Sequence, residues 1–522
     1  MAEIKTTFIK GRMNKDLDER LLPKGEYRDA RNVEVSTSEG SNVGTVQNIV
    51  GNSRVDNLMP SGFKCVGSIA DEANNKLYWL ASGLEKDIIA EYDVSSGGNK
   101  LVFVDANKRN SKACLKFGQK LITGINIIDD FILFTDGESE PKKINIKRSK
   151  IGTIDIDSHT LLIKKDTDNI ADNVGLVKEE NITVIKKRPS KTLTVNINKK
   201  SQSKEKGIFE KTFPRFSYRY KYSDNEYSAF GPFTSPVFSA NFTDDFNSLN
   251  FYNVKQGHNT AMINTIESID LSGIIDSATP RDVVSVDILF KREDSNVVYT
   301  VATLSFEEIS KTRNIDESFG KYTVTTENIF AAVNSNQILR SFDNVPKTAV
   351  AQEIIGNRVI YANYTQGYNV GEVKVDSGYS VRNTSGATFS QGGLESLKSQ
   401  RDYQVGVVFG DKYGRETPVF TSDQGSVTVP WYNSNVTDGP SFLSSLILTS
   451  SIPTPTPEWA KYYKFYVKEV SGAYYNLLMD KVYLPSSSTD YENKEDHVYL
   501  SFASSDINKV SDEDYIILKK VS

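Results

Sequence analysis

The sequence predicts an all-β protein, a β-propeller-like domain interrupted by inserted fibronectin type III-like β-sandwich modules. Three observations carry that expectation. Period-2 alternation dominates the chain, as in Lys76-Leu77-Tyr78-Trp79-Leu80, Phe131-Ile132-Leu133-Phe134, Phe216 to Tyr222 and Lys464-Phe465-Tyr466-Val467. Each run is short and bounded by Asn, Asp, Gly or Ser clusters, the pattern of half-buried strands between turns. Two phrases also recur, one within residues 61–150 and one at 218–233 and 403–420. Helical stripes are few, with 304–312 and 392–399 each fit for a short helix.

The first phrase reads Val66-Gly67-Ser68-Ile69-Ala70-Asp71, then Lys76 to Leu80, then Ile89 to Asp93. It returns as Ile122 to Asp130, Phe131 to Asp136 and Lys143-Ile144-Asn145-Ile146, and in part at Ala351 to Ala362. Short antiparallel strands that cannot bury their faces alone are how a propeller blade is written. The second phrase, Tyr218 to Phe233 and Tyr403 to Phe420, is an alternating strand, an Asp-centred turn with an aromatic, and an extended stretch with Pro. Each copy precedes a hairpin, Val284 to Tyr299 and Tyr462 to Tyr475, which suggests sandwich modules. The expected organisation is 1–60, an irregular motif-rich N-terminal segment; 61–207, propeller-like blades with a basic hairpin; 208–345, a first sandwich module with an insertion; 346–398, a propeller-like continuation; and 399–522, a second sandwich module with the C-terminal segment.

A chain of 522 residues is long enough for about three domains. Its 26 Tyr and 26 Phe suit pleated, half-buried surfaces. A net charge of −5 argues against a dedicated nucleic-acid binder but leaves room for local basic loops. Lys186, Lys187, Arg188 and Lys191, with Lys199 and Lys200, flank the strand Leu193 to Ile197. They read as the charged ends of a solvated hairpin or as a loop touching DNA phosphates or an acidic partner. The N-terminus, Met1-Ala2-Glu3-Ile4-Lys5, has no apolar signal core, and no run of ~18 apolar residues occurs. A soluble protein in a reducing compartment, or one exported without a signal, is expected.

Little in the sequence points to catalysis or cofactors. Nucleotide-binding glycine motifs, the G-x-S-x-G elbow and H-E-x-x-H are absent. Cys65 and Cys114 are expected as two reduced buried thiols. His159, His258 and His497 lack a second histidine or a cysteine at ligand spacing, so no metal site is expected. The acid pairs Asp129/Asp130 and Asp244/Asp245 sit in turn-like contexts, and Asp155/Asp157 reads as the exposed face of a strand. Asp16, Asp18 and Glu19 lack the Gly and distal Glu of a calcium loop, so pairing with Arg12, Arg20 or Arg28 is expected. Trp79 reads as core or blade interface; Trp431 and Trp459 could line a glycan platform.

One stretch is more specific. Gly11-Arg12-Met13-Asn14-Lys15-Asp16-Leu17-Asp18-Glu19-Arg20, then Leu22-Pro23-Lys24-Gly25-Glu26-Tyr27-Arg28-Asp29-Ala30, Asn32, and Gly44 to Asn52, resembles the start of tail stabilisation proteins of short-tailed bacteriophages, also called nozzle, hub or muzzle proteins, most like those of crAss-like phages. The resemblance implies a propeller with inserted sandwiches, in a virion protein assembled in the host cytoplasm. It implies a homo-oligomeric, six-fold ring below portal and adaptor, carrying tail fibres and giving passage to double-stranded DNA. Met13, Asn14, Asp16, Asp18, Arg20, Pro23, Gly25, Tyr27, Arg28 and Asn32 would then form an assembly segment. The alternative is a receptor- or glycan-binding virion propeller protein.

Overall fold

The computed structural model describes residues 10–35, 46–49, 51, 61–108, 112–118, 121–164, 169–199, 207–239, 252–253, 258–259, 263–306, 309, 319–327, 331–338, 340, 343–356, 358–384, 397, 401–429, 443–469, 477, 479–483 and 499–510. They fall into two compact units, Met1–Gly62 and Phe63–Ser522. Strands dominate both. Among the described residues the sheets are small and none closes on itself, and no helix is long and apolar enough to cross a membrane.

The N-terminal unit is held by hydrogen bonds more than by a core. Arg12–Met13 runs parallel to Glu26–Tyr27, and the pairing extends through Lys10 N–H to Gly25 O (3.0 Å) and Asn14 N–H to Tyr27 O (2.8 Å). Gly25 has φ +93°, a conformation that glycine adopts freely, and its Cα lies against Lys10. Asp18 caps a one-turn helix, Glu19–Leu21, by accepting from Arg20 N–H. Asn32 (φ +55°) starts the hairpin of Val33–Val35 with Val46–Asn48.

In the large unit, Lys64–Asp71, Lys76–Ser82, Asp87–Asp93 and Gly98–Asp105 form an up-and-down antiparallel sheet. Its turns use Asn75 at φ +52° and the Asp93 carboxylate, which accepts from Ser95 and Ser96 N–H. A three-stranded sheet follows, Gly124–Ile128, Phe131–Thr135 and Lys142–Asn145, turned at Asp129 (φ +49°). Both sheets share one core, including Tyr78, Leu80, Ile89, Phe103, Phe117, Ile132 and Phe134. The hairpin Thr348–Ile355/Arg358–Thr365 packs back on the second sheet. Gly137 N–H donates to Ala349 O (2.9 Å), and Gln352 Nε2 donates to Asn126 Oδ1 (3.0 Å).

Two further regions repeat one plan. Pro214–Tyr222 pairs with Val283–Arg292, while Thr194–Lys199 pairs with Ile266–Ile275 in a second sheet. Phe216, Tyr218 and Tyr220 meet Ile266, Ile269 and Leu271 between the two sheets. Likewise Arg401–Gly410 pairs with Tyr462–Glu469, and Asp376–Thr384 with Leu443–Ser451. There Val405, Val407, Phe409 and Leu448 share a core.

Several expectations change. Ile146 does not end a strand; Asn145 Oδ1 accepts from Arg148 N–H and starts a helix, Ile146–Gly152. Asp155 and Asp157 lie in a bend, where the Asp155 carboxylate accepts from the 157 and 158 N–H groups, so the alternation there is a turn and not a strand. Leu304 and Ser305 end the strand Val298–Ser305, with Phe306 and Ile309 helical. Of 392–399 only Leu397 is described, and Asp244, Asp245 and Trp431 lie outside the described residues.

A charged junction as the candidate functional site

Within the large unit, two short segments sit between the two repeated regions. One is the loop and strand around Glu140 to Asn145; the other is Glu179 to Arg188. They are bonded to each other by Val184 N–H to Pro141 O (2.9 Å) and by a bridge between Lys142 and Thr183. Lys142 is fully buried beside Asp136 (3.4 Å) and Ser139. Each repeated region presents a turn to this hub, the one after Pro214–Tyr222 in the first and the one after Arg401–Gly410 in the second.

In the first region Asp224 and Glu226 of that turn face Lys143 (3.5 and 2.5 Å), and Asp224 also meets Arg148. Lys186 lies 3.9 Å from Glu226 and 3.8 Å from Asp282. Burial pushes the Asp282 carboxyl up and the Lys186 ammonium down, because both are taken out of water. Tyr222 O–H donates to Lys187 O (2.5 Å).

In the second region Arg415 reaches Glu140 (2.8 Å) and its own turn's Asp411 (2.7 Å). Asp411 also accepts from Tyr413 N–H, Arg415 N–H and the Tyr368 hydroxyl, each at 2.9 Å. Arg188 pairs with Glu416, and its Nη2 donates to the Tyr462 hydroxyl (3.0 Å). Lys464 completes the group at 2.6 Å from Glu416, and Lys412 reaches Glu179 (3.1 Å). Gly414 has φ +92°, and a Cβ there would run into the Arg188 side chain.

In the basic hairpin Lys186 is buried and Arg188 largely so, each in ion pairs within the chain. Lys187 is half-buried and donates to Ala278 O (2.7 Å). Lys191 is exposed 3.0 Å from Asp276, Lys199 is exposed, and Lys200 lies outside the described residues. Their partners Glu226, Asp282 and Glu416 lie 40, 96 and 228 residues further along the chain, so no local pattern could announce them.

The N-terminal motif divides in two. Asn14, whose side chain donates to Glu26 (3.2 Å), together with Asp18, Gly25 and Asn32, shapes the segment. Asp16 N–H donates to Asn14 Oδ1 (3.3 Å). Met13, Asp16, Arg20, Pro23 and Arg28 are exposed, and Tyr27 is half-buried. Arg12 pairs with Glu26 (3.8 Å) and not with the neighbouring acids. Met13, Leu17 and Leu21 are 48%, 37% and 70% exposed, three apolar side chains open to solvent on a small unit.

One cluster was missed by reading ligand spacing: Asp105, Cys114 and His159 are all buried with their ligand atoms within 4.8 Å of one another. Its donors and acceptors are already paired. His159 Nε2 lies 2.9 Å from Val177 O, and its Nδ1 lies 3.2 Å from Ala106 N. Asp105 Oδ2 accepts from Cys114 and Leu115 N–H (2.6 and 2.8 Å). Burial, with the Asp105 charge beside it, pushes the Cys114 thiol well up. The cluster ties the 112–118 stretch to the sheet. Trp79 is half-buried beside Tyr92, and Trp459 stacks on Tyr368 at 3.8 Å, so neither stands as an open platform.

No curated protein matches the chain. The family model described as Crassvirus muzzle protein matches residues 3–272, more than half of the sequence, including the N-terminal motif, the first two sheets, the hub and the turn of the first repeated region. The chain belongs to the Crassvirus muzzle protein family and is a structural protein of the phage tail.

Proposed function

We propose that the chain is a ring-forming subunit of a short phage tail, placed below the portal and its adaptor, and a platform for tail fibres. The ring is six-fold and assembles in the host cytoplasm. The observation that carries this reading is the N-terminal unit. Family membership makes the protein a tail component, and this unit combines backbone-ordered loops with exposed Met13, Leu17 and Leu21. Such exposed apolar side chains on a small body fit a subunit–subunit or adaptor contact.

The four-stranded meander, its three-stranded neighbour and the returning hairpin 348–365 support a propeller-like body whose chain leaves for 208–345 and comes back. The paired two-sheet regions support sandwich modules of the fibronectin kind. Ion pairing of Lys186 and Arg188 inside the chain, with a net charge of −5, fits a channel wall on which DNA slides without sticking. Lys191 and Lys199 remain as surface cations for a partner. Membership in a structural family points to a non-enzymatic role. The test is deletion of residues 1–30 in the phage: tails are expected to fail at assembly, and tails at normal yield would refute the assignment.

A further inference from the structure

The turns that meet the hub are the same turn. In the first region Tyr222 N–H donates to Glu226 O (2.8 Å) and Asn225 N–H to Tyr222 O (3.0 Å); in the second, Asp411 N–H donates to Arg415 O (3.0 Å) and Gly414 N–H to Asp411 O (3.2 Å). Asn225 and Gly414 hold the matching positive φ, +60° and +92°. Ser228 and Thr417 then each bond the strand twice, to Tyr220 and Phe409 respectively. This alignment pairs Glu226 with Arg415, so the same position carries opposite charge in the two copies.

The hub carries the complement. Glu226 meets Lys143 (2.5 Å) and Lys186 (3.9 Å), while Arg415 meets Glu140 (2.8 Å), three residues from Lys143 on the same segment. Arg188, two residues from Lys186, takes Glu416 beside Arg415. Exchanging the turns would set Glu226 against Glu140 and Arg415 against Lys143 and Lys186. Lys143, Lys186, Glu140 and Arg415 are largely shielded from water and Glu226 is about two-thirds shielded, an environment in which like charges are disfavoured.

We propose that the hub formed by 140–143 and 186–188 is a two-seat docking surface that sorts the two modules by the charge of one turn position. Glu226 and Arg415 are the keys, and Lys143 with Lys186, and Glu140, are the locks. Charge at such contacts acts on register and partner choice, and a chain with two similar modules is prone to docking the wrong one as it folds.

The test uses the full chain and reads hydrogen exchange in peptides covering 138–148, 184–190, 222–228 and 411–417. Exchanging the keys (Glu226→Arg with Arg415→Glu) is expected to lower protection there by about tenfold or more. Adding two of the exchanged locks (Glu140→Lys with Lys143→Glu) is expected to recover part of that loss, with Lys186 still facing position 226 and Asp411 facing position 415. Should the exchanged keys fail to fold, a double-mutant cycle of Glu140→Gln and Arg415→Gln is read on the unfolding midpoint, with favourable coupling expected. Unchanged protection on exchanging the keys, no recovery on adding the locks, or zero coupling in the cycle would each overturn the proposal.

Discussion

At the scale of single residues, the junction is where small changes act most. Gly414 meets two demands at once, a left-handed φ of +92° and the passage of Arg188 over its Cα. Gly414→Ala should destabilise the chain by about 1–3 kcal/mol, seen as a lowered thermal midpoint. Lys186→Met takes the cation away from buried Asp282, while Glu226 keeps Lys143, and should cost about 3–5 kcal/mol; Lys186→Met with Asp282→Asn should cost less than the single change. Glu416 carries the pH prediction. Burial pushes its carboxyl up, but the Lys464 hydrogen bond and the Arg188 charge outweigh that and hold it below the ordinary 4.5. A carboxyl depressed on folding stabilises above its unfolded value and loses that contribution as pH falls through the folded one. Urea unfolding of the full chain should therefore weaken below about pH 4.5, and Glu416→Gln should flatten that fall; an unchanged slope in the variant would contradict it. Asp282, pushed up by burial, works in the opposite direction, so the comparison with Glu416→Gln is what isolates the effect. None of these partnerships was legible in sequence. Lys186-Lys187-Arg188 shows its charge locally, but Asp282, Glu226 and Glu416 are brought there by the fold.

At the scale of elements, period-2 alternation marked real strands. Lys76–Ser82, Phe131–Thr135, Pro214–Tyr222 and Tyr462–Glu469 all lie where aromatic and branched residues alternate. The repeated phrase at 218–233 and 403–420 marked one turn built twice, because its positive-φ residue and its hydroxyl do local work, while Asp224 and Asp411 occupy different positions of it. Ser228 and Thr417 satisfy buried strand N–H groups, so Ser228→Ala and Thr417→Val should each lower stability by about 1–3 kcal/mol in denaturant titration. Alternation also misleads. Pro214–Tyr222 reads as aromatic-in and polar-out, yet Arg219 on its polar side is buried against Asp287 (2.9 Å) under Tyr227. The helix Ile146–Gly152 is too short to show a stripe and is set by its Asn145 cap. At 155–157, alternating acids and isoleucines are produced by a turn.

At the scale of the whole molecule, the chain leaves its first core at about residue 185 and comes back against the three-stranded sheet with the hairpin at 348–365. The fragment Ala351 to Ala362 hinted at that return because it repeats the phrasing of the earlier strands. The Asp105, Cys114 and His159 cluster gave no such hint, since its members are separated by loops of unrelated length. The N-terminal motif was the most specific signal in the sequence: its Gly, Asn and Asp positions are fixed by backbone geometry, which tolerates few substitutes. Cryo-electron microscopy of isolated tails decides whether this chain is a ring subunit of the phage tail, as proposed. The prediction is a six-fold ring of this chain below the portal complex, with residues 10–32 at a contact between subunits or with the adaptor. Tails whose reconstruction has no place for the chain, or that hold it as separate copies with no contact through residues 10–32, would contradict it.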